Sequence, residues 1–110
     1  MAIEGGKQIC ITAINVYEVL KGLKYKTNQK IQKAFNEFLD DIRVIHFDDN
    51  AASIAADIYA DLRKKGITVG DADILIAAIV INYNGVLVSH NLKHYEHIRN
   101  LKLVDWTYAR

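Results

Sequence analysis

Residues 70–91, GDADILIAAIVINYNGVLVSHN, set Asp71 and Asp73 in front of an apolar helix. A short apolar strand follows and runs out into Ser89, His90 and Asn91. A further acid, Glu18, stands about one helical turn beyond the apolar segment QICITA. Asp73 is followed by ILIAA, and Glu18 is flanked by Tyr17, Val19 and Leu20. A solvated surface acid normally keeps polar company, so two such acids at strand exits point to a shared cluster. Ligands of open α/β sheets collect at that end of the strands. Carboxylates without a second cysteine or a paired histidine suit a hard cation, Mg²⁺ or Mn²⁺, held through few protein oxygens and several waters. Such an ion activates water for in-line attack on phosphorus, so phosphodiester hydrolysis is the reaction to expect. Asp71 reads either as the helix N-cap or as an accessory acid.

The other chemistry-bearing residues divide into sharper and plainer readings. Lys21, Lys24, Lys26, Lys30 and Lys33 follow Glu18 with no acid among them. They form a solvated helix face, or a phosphate-contacting edge if something nearby acts on nucleic acid. His90, His94 and His97 crowd one segment but make no HExxH pattern, and solvated or phosphate-facing histidines fit them better than zinc ligands. Cys10, alone inside ICIT, reads as a small buried hydrophobe.

These residues need elements to carry them. QICITA (8–13) reads as a short buried strand and 14–22 as a helix with Val16, Val19 and Leu20 at helical spacing and Gly22 as its C-cap. Residues 29–40 place Ile31, Ala34, Phe35, Phe38 and Leu39 on one helical face. RVIHF (43–47) is a second strand. Asp48, Asp49 or Asn50 then caps a helix to Lys65, with Ile54, Ala55, Ile58 and Leu62 inward and Gly66 as its stop. A helix over 71–82, an Asn84-Gly85 turn, a strand over 86–90, a helical turn within 92–98 and a strand over 101–106 complete the chain. The order implies an α/β fold with a short, mainly parallel sheet flanked by helices.

With 110 residues, 51% of them hydrophobic and 25% charged, the chain is a single folded domain, 1–110. No apolar run approaches the roughly 18 residues of a membrane helix, and 1–8 contains no apolar signal core, so a cytoplasmic address is expected.

The segments CITAINVYEVLKG, GDADILIAA, VLVSHNLKHYEHI and LKLVDW together resemble a PIN domain of the VapC toxin type, from about Gln8 to Trp106. The resemblance implies an Mg²⁺- or Mn²⁺-dependent ribonuclease, silenced by a cognate antitoxin protein and commonly homodimeric. By motif it makes Glu18 and Asp73 metal ligands and sets Asn91 where the family has a fourth acid. Ser89 takes the place of a family hydroxyl, and Lys21, Lys24, Lys26 and Lys30 would bind RNA. The family opens with a central strand ending in an Asp-x-Asn-like motif. Here only MAIEGGKQ precedes Ile9, with Glu4 its one acid, so that strand and its Asp are expected to be missing. Two functions remain open: the endoribonuclease, and a truncated module that acts through antitoxin binding or self-association. A receiver-like signalling domain, with Asp48 and Asp49 at a strand tip, is a distant third.

Overall fold

The computed structural model describes residues 2–3 and 9–105; Glu4 and Trp106 lie outside the described residues. The elements in chain order are β1 (Ala2–Ile3), β2 (Ile9–Thr12), α1 (Ala13–Tyr25), α2 (Gln29–Asp40), β3 (Arg43–Ile45) and α3 (Asp49–Lys64). They continue with α4 (Asp71–Asn82), β4 (Val86–Ser89), α5 (Leu92–Tyr95) and β5 (Lys102–Asp105). One sheet has the strand order β3-β2-β1-β4-β5. β2 and β3 pair in parallel, as do β4 and β5.

The centre of the sheet departs from the sequence reading. Residues 2–3 form a strand after all. They lie between β2 and β4 and run antiparallel to both, with Ala2 opposite Cys10 and Leu87 and Ile3 opposite Ile9 and Val86. The physical reason is backbone satisfaction. Two facing strand edges with a gap between them leave N–H and C=O groups without partners, and any passing extended backbone can supply them.

Local chemistry sets the helix ends. Asp48 caps α3 by accepting the Ala51 N–H at 2.8 Å, and Gly66 just beyond it takes a positive φ of 72°. Thr12 is fully buried and forms a capping box with Asn15 at the start of α1. Gly22 does not end that helix. α1 continues to Tyr25 and is capped at Lys26, since a glycine in an exposed turn costs a helix only about 1 kcal/mol.

The core gathers around α4. Ile74, Ile76, Ala77, Ala78, Ile79 and Val80 are all buried. A helix apolar on every side is one enclosed by others, and α4 packs against α3, α1, α5 and strands β2 and β4. Ala55, Ile58 and Leu62 of α3 are buried beside it, as their spacing predicts, with Ile54 half-buried. The two helices run antiparallel: Asn82 at the end of α4 donates to Asp48 Oδ1 at 3.0 Å and accepts from Asn50 Nδ2. By contrast α1 and α2 bury no residue, and Val19, Ile31 and Phe38 stay exposed. No helix among the described residues is long and apolar enough to cross a membrane.

Candidate functional site

Asp73 is a partly buried acid with two side-chain partners. It lies in the first turn of α4, whose N-cap is Gly70, so Asp71 is the first helical residue, exposed, and not the cap. The Tyr95 hydroxyl donates to Asp73 Oδ1 at 3.0 Å, and His94 Nδ1 lies 3.2 Å from Oδ2. Both partners come from α5, which follows β4 closely and brings them to the N-terminal turn of α4. The Asp73 side chain is 25% exposed, at the edge of a cleft lined by Thr68, Val69, Gly70, Lys93 and His94. Burial, then the Asp73 charge and its hydrogen bond, push the Tyr95 phenol above its ordinary pKa. Tyr95 therefore stays a donor to Asp73 throughout the neutral and mildly alkaline range.

Removing that donor tests the arrangement. Tyr95→Phe keeps the buried ring but strips Oδ1 of its partner, and is expected to lower stability by about 1–2 kcal/mol in a denaturant melt. No loss would mean that the hydrogen bond does not hold Asp73.

Glu18 is placed differently. Its Oε2 lies 2.8 Å from Lys21 Nζ one turn along α1, and its side chain is 37% exposed. That carboxylate, by hydrogen bond and by charge, raises the Lys21 pKa. α1 packs against α4, yet the residues that Asp73 touches are His94 and Tyr95, which the sequence pattern does not single out as its partners. Ser89 and Asn91 do come together, the Asn91 N–H donating to Ser89 Oγ at 3.0 Å. Asn91 is the exposed N-cap of α5 and makes no side-chain capping bond. Lys24, Lys26 and Lys30 are exposed along α1 and the start of α2.

Among the described residues no group of three or more His, Cys, Asp and Glu side chains is arranged to hold a metal ion. The donor set still fits a hard divalent cation of one kind. Mg²⁺ commonly binds through one or two carboxylates, completing its shell with water and substrate phosphate. Asp73 has the orienting partners such a carboxylate needs.

The pattern that defines the PIN domain matches residues 2–100. The chain belongs to the PIN-domain family. This PIN domain is 31% identical over 99 residues to "Ribonuclease VapC2" of Rickettsia felis, covering 89% of this chain and 74% of that protein. It is 30% identical over 100 residues to "tRNA(fMet)-specific endonuclease VapC" of Salmonella typhimurium, covering 90% and 76%. Among solved structures, VapBC2 from Rickettsia felis bound to a promoter DNA fragment superposes with a TM-score of 0.84 at 30% identity, over 90% of this chain and 75% of that one. DNA-bound VapBC from Salmonella typhimurium gives 0.82 at 30%, over 88% and 74%. The PIN-like sheet flanked by helices expected from the sequence is therefore the fold observed.

Proposed function

We propose that this PIN domain is a Mg²⁺- or Mn²⁺-dependent endoribonuclease of the toxin–antitoxin kind. The observation that carries the reading is Asp73, held by Tyr95 and His94 at the mouth of a cleft, in a chain whose relatives are named ribonucleases. Asp73 and Glu18 would hold the cation, with Asp71 accessory, and the cation supplies Lewis-acid activation of water and of the phosphate. The overall reaction adds water across one phosphodiester: a new P–O bond forms, one ester P–O bond breaks, and the departing sugar oxygen gains a proton. Ser89 Oγ accepts from the Asn91 N–H at 3.0 Å, and this pair would orient phosphate or water. Lys21, Lys24, Lys26 and Lys30 would hold the RNA backbone.

An antitoxin protein and a second copy of the chain are the partners proposed. The relatives were solved as VapBC assemblies. The apolar face of α2, with Ile31 51% and Phe38 40% exposed, is the surface an antitoxin would cover. A non-hydrolytic module is favoured by one fact alone: both Asp73 oxygens and the Glu18 carboxylate already have protein partners.

Incubation with structured RNA separates the two readings. Cleavage is expected with Mn²⁺ or Mg²⁺, abolished by EDTA and reduced in Asp73→Asn and Glu18→Gln. No cleavage, or cleavage indifferent to both substitutions, would leave only the binding module.

A further inference from the structure

We propose that α1 carries a stacking track for unpaired RNA, in which Tyr17 and Tyr25 receive bases while Lys21 and Lys24 hold the intervening phosphates. The proposal rests on the ribonuclease reading for its ligand, and it adds the residues of this chain that would receive a single strand in preference to a duplex.

The track is visible in what α1 leaves uncovered. Tyr25 is 89% exposed and Tyr17 is 59% exposed. Positions 17, 21, 24 and 25 are spaced i, i+4, i+7 and i+8, which puts them on one side of the helix. The two tyrosines are separated by about 12 Å along the axis, at about 1.5 Å per residue. The Lys21 ammonium lies 5.2 Å from the centre of the Tyr17 ring and 2.8 Å from Glu18 Oε2. One lysine thus ties the aromatic ring to the acid proposed to hold the cation. A base seated at Tyr17 would bring its phosphate beside Glu18.

Charge and chemistry select the occupant. No acid occurs between Glu18 and Glu37, so the stripe is a continuous cationic edge suited to a polyanion. Lysines alone would accept any nucleic acid, because phosphates are common to all. Exposed rings discriminate, since bases stack on aromatics only when they are out of a duplex. The larger exposed aliphatic and phenylalanine side chains, of the kind a protein helix would seek, lie on α2, at Ile31 and Phe38, against Val19 on α1.

The test measures binding in EDTA, so that it is independent of cleavage. The probe is a fluorescein-labelled RNA of about 12 nucleotides without self-complementarity, used alone and annealed to its complement. Tyr25→Ala is expected to weaken single-strand binding by about 5- to 100-fold, and Tyr25→Phe to retain it. Duplex binding should be unaffected by either. Lys24→Ala should weaken both forms and flatten the salt dependence by about one unit of slope. Tyr25 is too exposed for its truncation to unfold the chain, and Tyr17→Ala gives a second reading of the same stripe.

Single-strand affinity indifferent to both tyrosines overturns the track, as does an equal loss on duplex. So does intact RNA affinity in variants that no longer bind a VapB-type partner. Cleavage by the unsubstituted chain with Mn²⁺ is scored separately. Tyrosine-dependent strand binding without any cleavage would sink the ribonuclease reading and leave the track standing. Cleavage with tyrosine-independent binding would do the reverse.

Discussion

Asp73→Asn is expected to slow RNA cleavage about 1,000-fold, close to 4 kcal/mol at 1.4 kcal/mol per decade, while leaving the fold intact. The fold survives because the amide keeps a carbonyl oxygen for the Tyr95 hydroxyl, whose bond to Oδ1 is 3.0 Å. What is removed is the charge, together with the Oδ2 acceptor that faces His94 Nδ1 at 3.2 Å. A carboxylate three-quarters shielded from water interacts with a divalent cation far more strongly than one on the surface. On the metal-dependent reading proposed above, its loss is expected to weaken binding of the ion and stabilisation of the charged transition state together. Glu18→Gln should cost less, about 10- to 100-fold, because Glu18 is more exposed and already shares its charge with Lys21. Single-turnover cleavage at saturating Mn²⁺, alongside a melting curve for each variant, checks both. If the two substitutions are equally mild, Asp73 is a helix-terminal acid and no more.

The environments of these two acids are only half legible in the sequence. Asp73 stood out because ILIAA follows it, and its surroundings are indeed shielded. The same argument applied to Glu18 assumes that Val19 and Leu20 are inward, yet Val19 is exposed and α1 buries nothing. Apolar neighbours in sequence mark a buried site only where the helix itself is covered, and α4 is covered whereas α1 is not. That Tyr95 and His94 are the partners of Asp73 is not legible for another reason. They meet Asp73 across more than twenty residues, and α5 is four residues long, too short for any periodicity to show which way it faces.

Elements whose ends carry their own chemistry were readable. The α2 and α4 spans agree with their apolar spacing and flanks, and α3 runs from the Asp48 cap to the Gly66 turn. β1 was not readable, because no side-chain pattern specifies it. Two residues with ordinary side chains become a central strand because β2 and β4 present unsatisfied edges on either side. Gly22 misled in the opposite direction, since a local preference worth about 1 kcal/mol yields to the bonds that carry α1 on to Tyr25.

The same centre of the sheet sets the second large effect. Leu87 is 2% exposed in β4, opposite Ala2 on one side and Leu103 of β5 on the other. Leu87→Ala is expected to cost about 2–5 kcal/mol, the sum of lost transfer energy and the cavity left where the strand lies against α4. Against a total of roughly 5–15 kcal/mol for a domain, that is a large share. Two features keep the cavity from collapsing. α4 is held at its end by the Asn82 bond to Asp48, and β4 is paired on both edges. The loss should also reach the site, because β4 leads directly into Ser89 and on to the His94 and Tyr95 that hold Asp73. Urea melts of Leu87→Ala and of the surface control Val104→Ala, on the edge strand β5 and 39% exposed, give the comparison. The expected result is a large fall in the midpoint for the first and a change within about 1 kcal/mol for the second. Equal effects would mean that the core is centred elsewhere than on α4 and the inner strands.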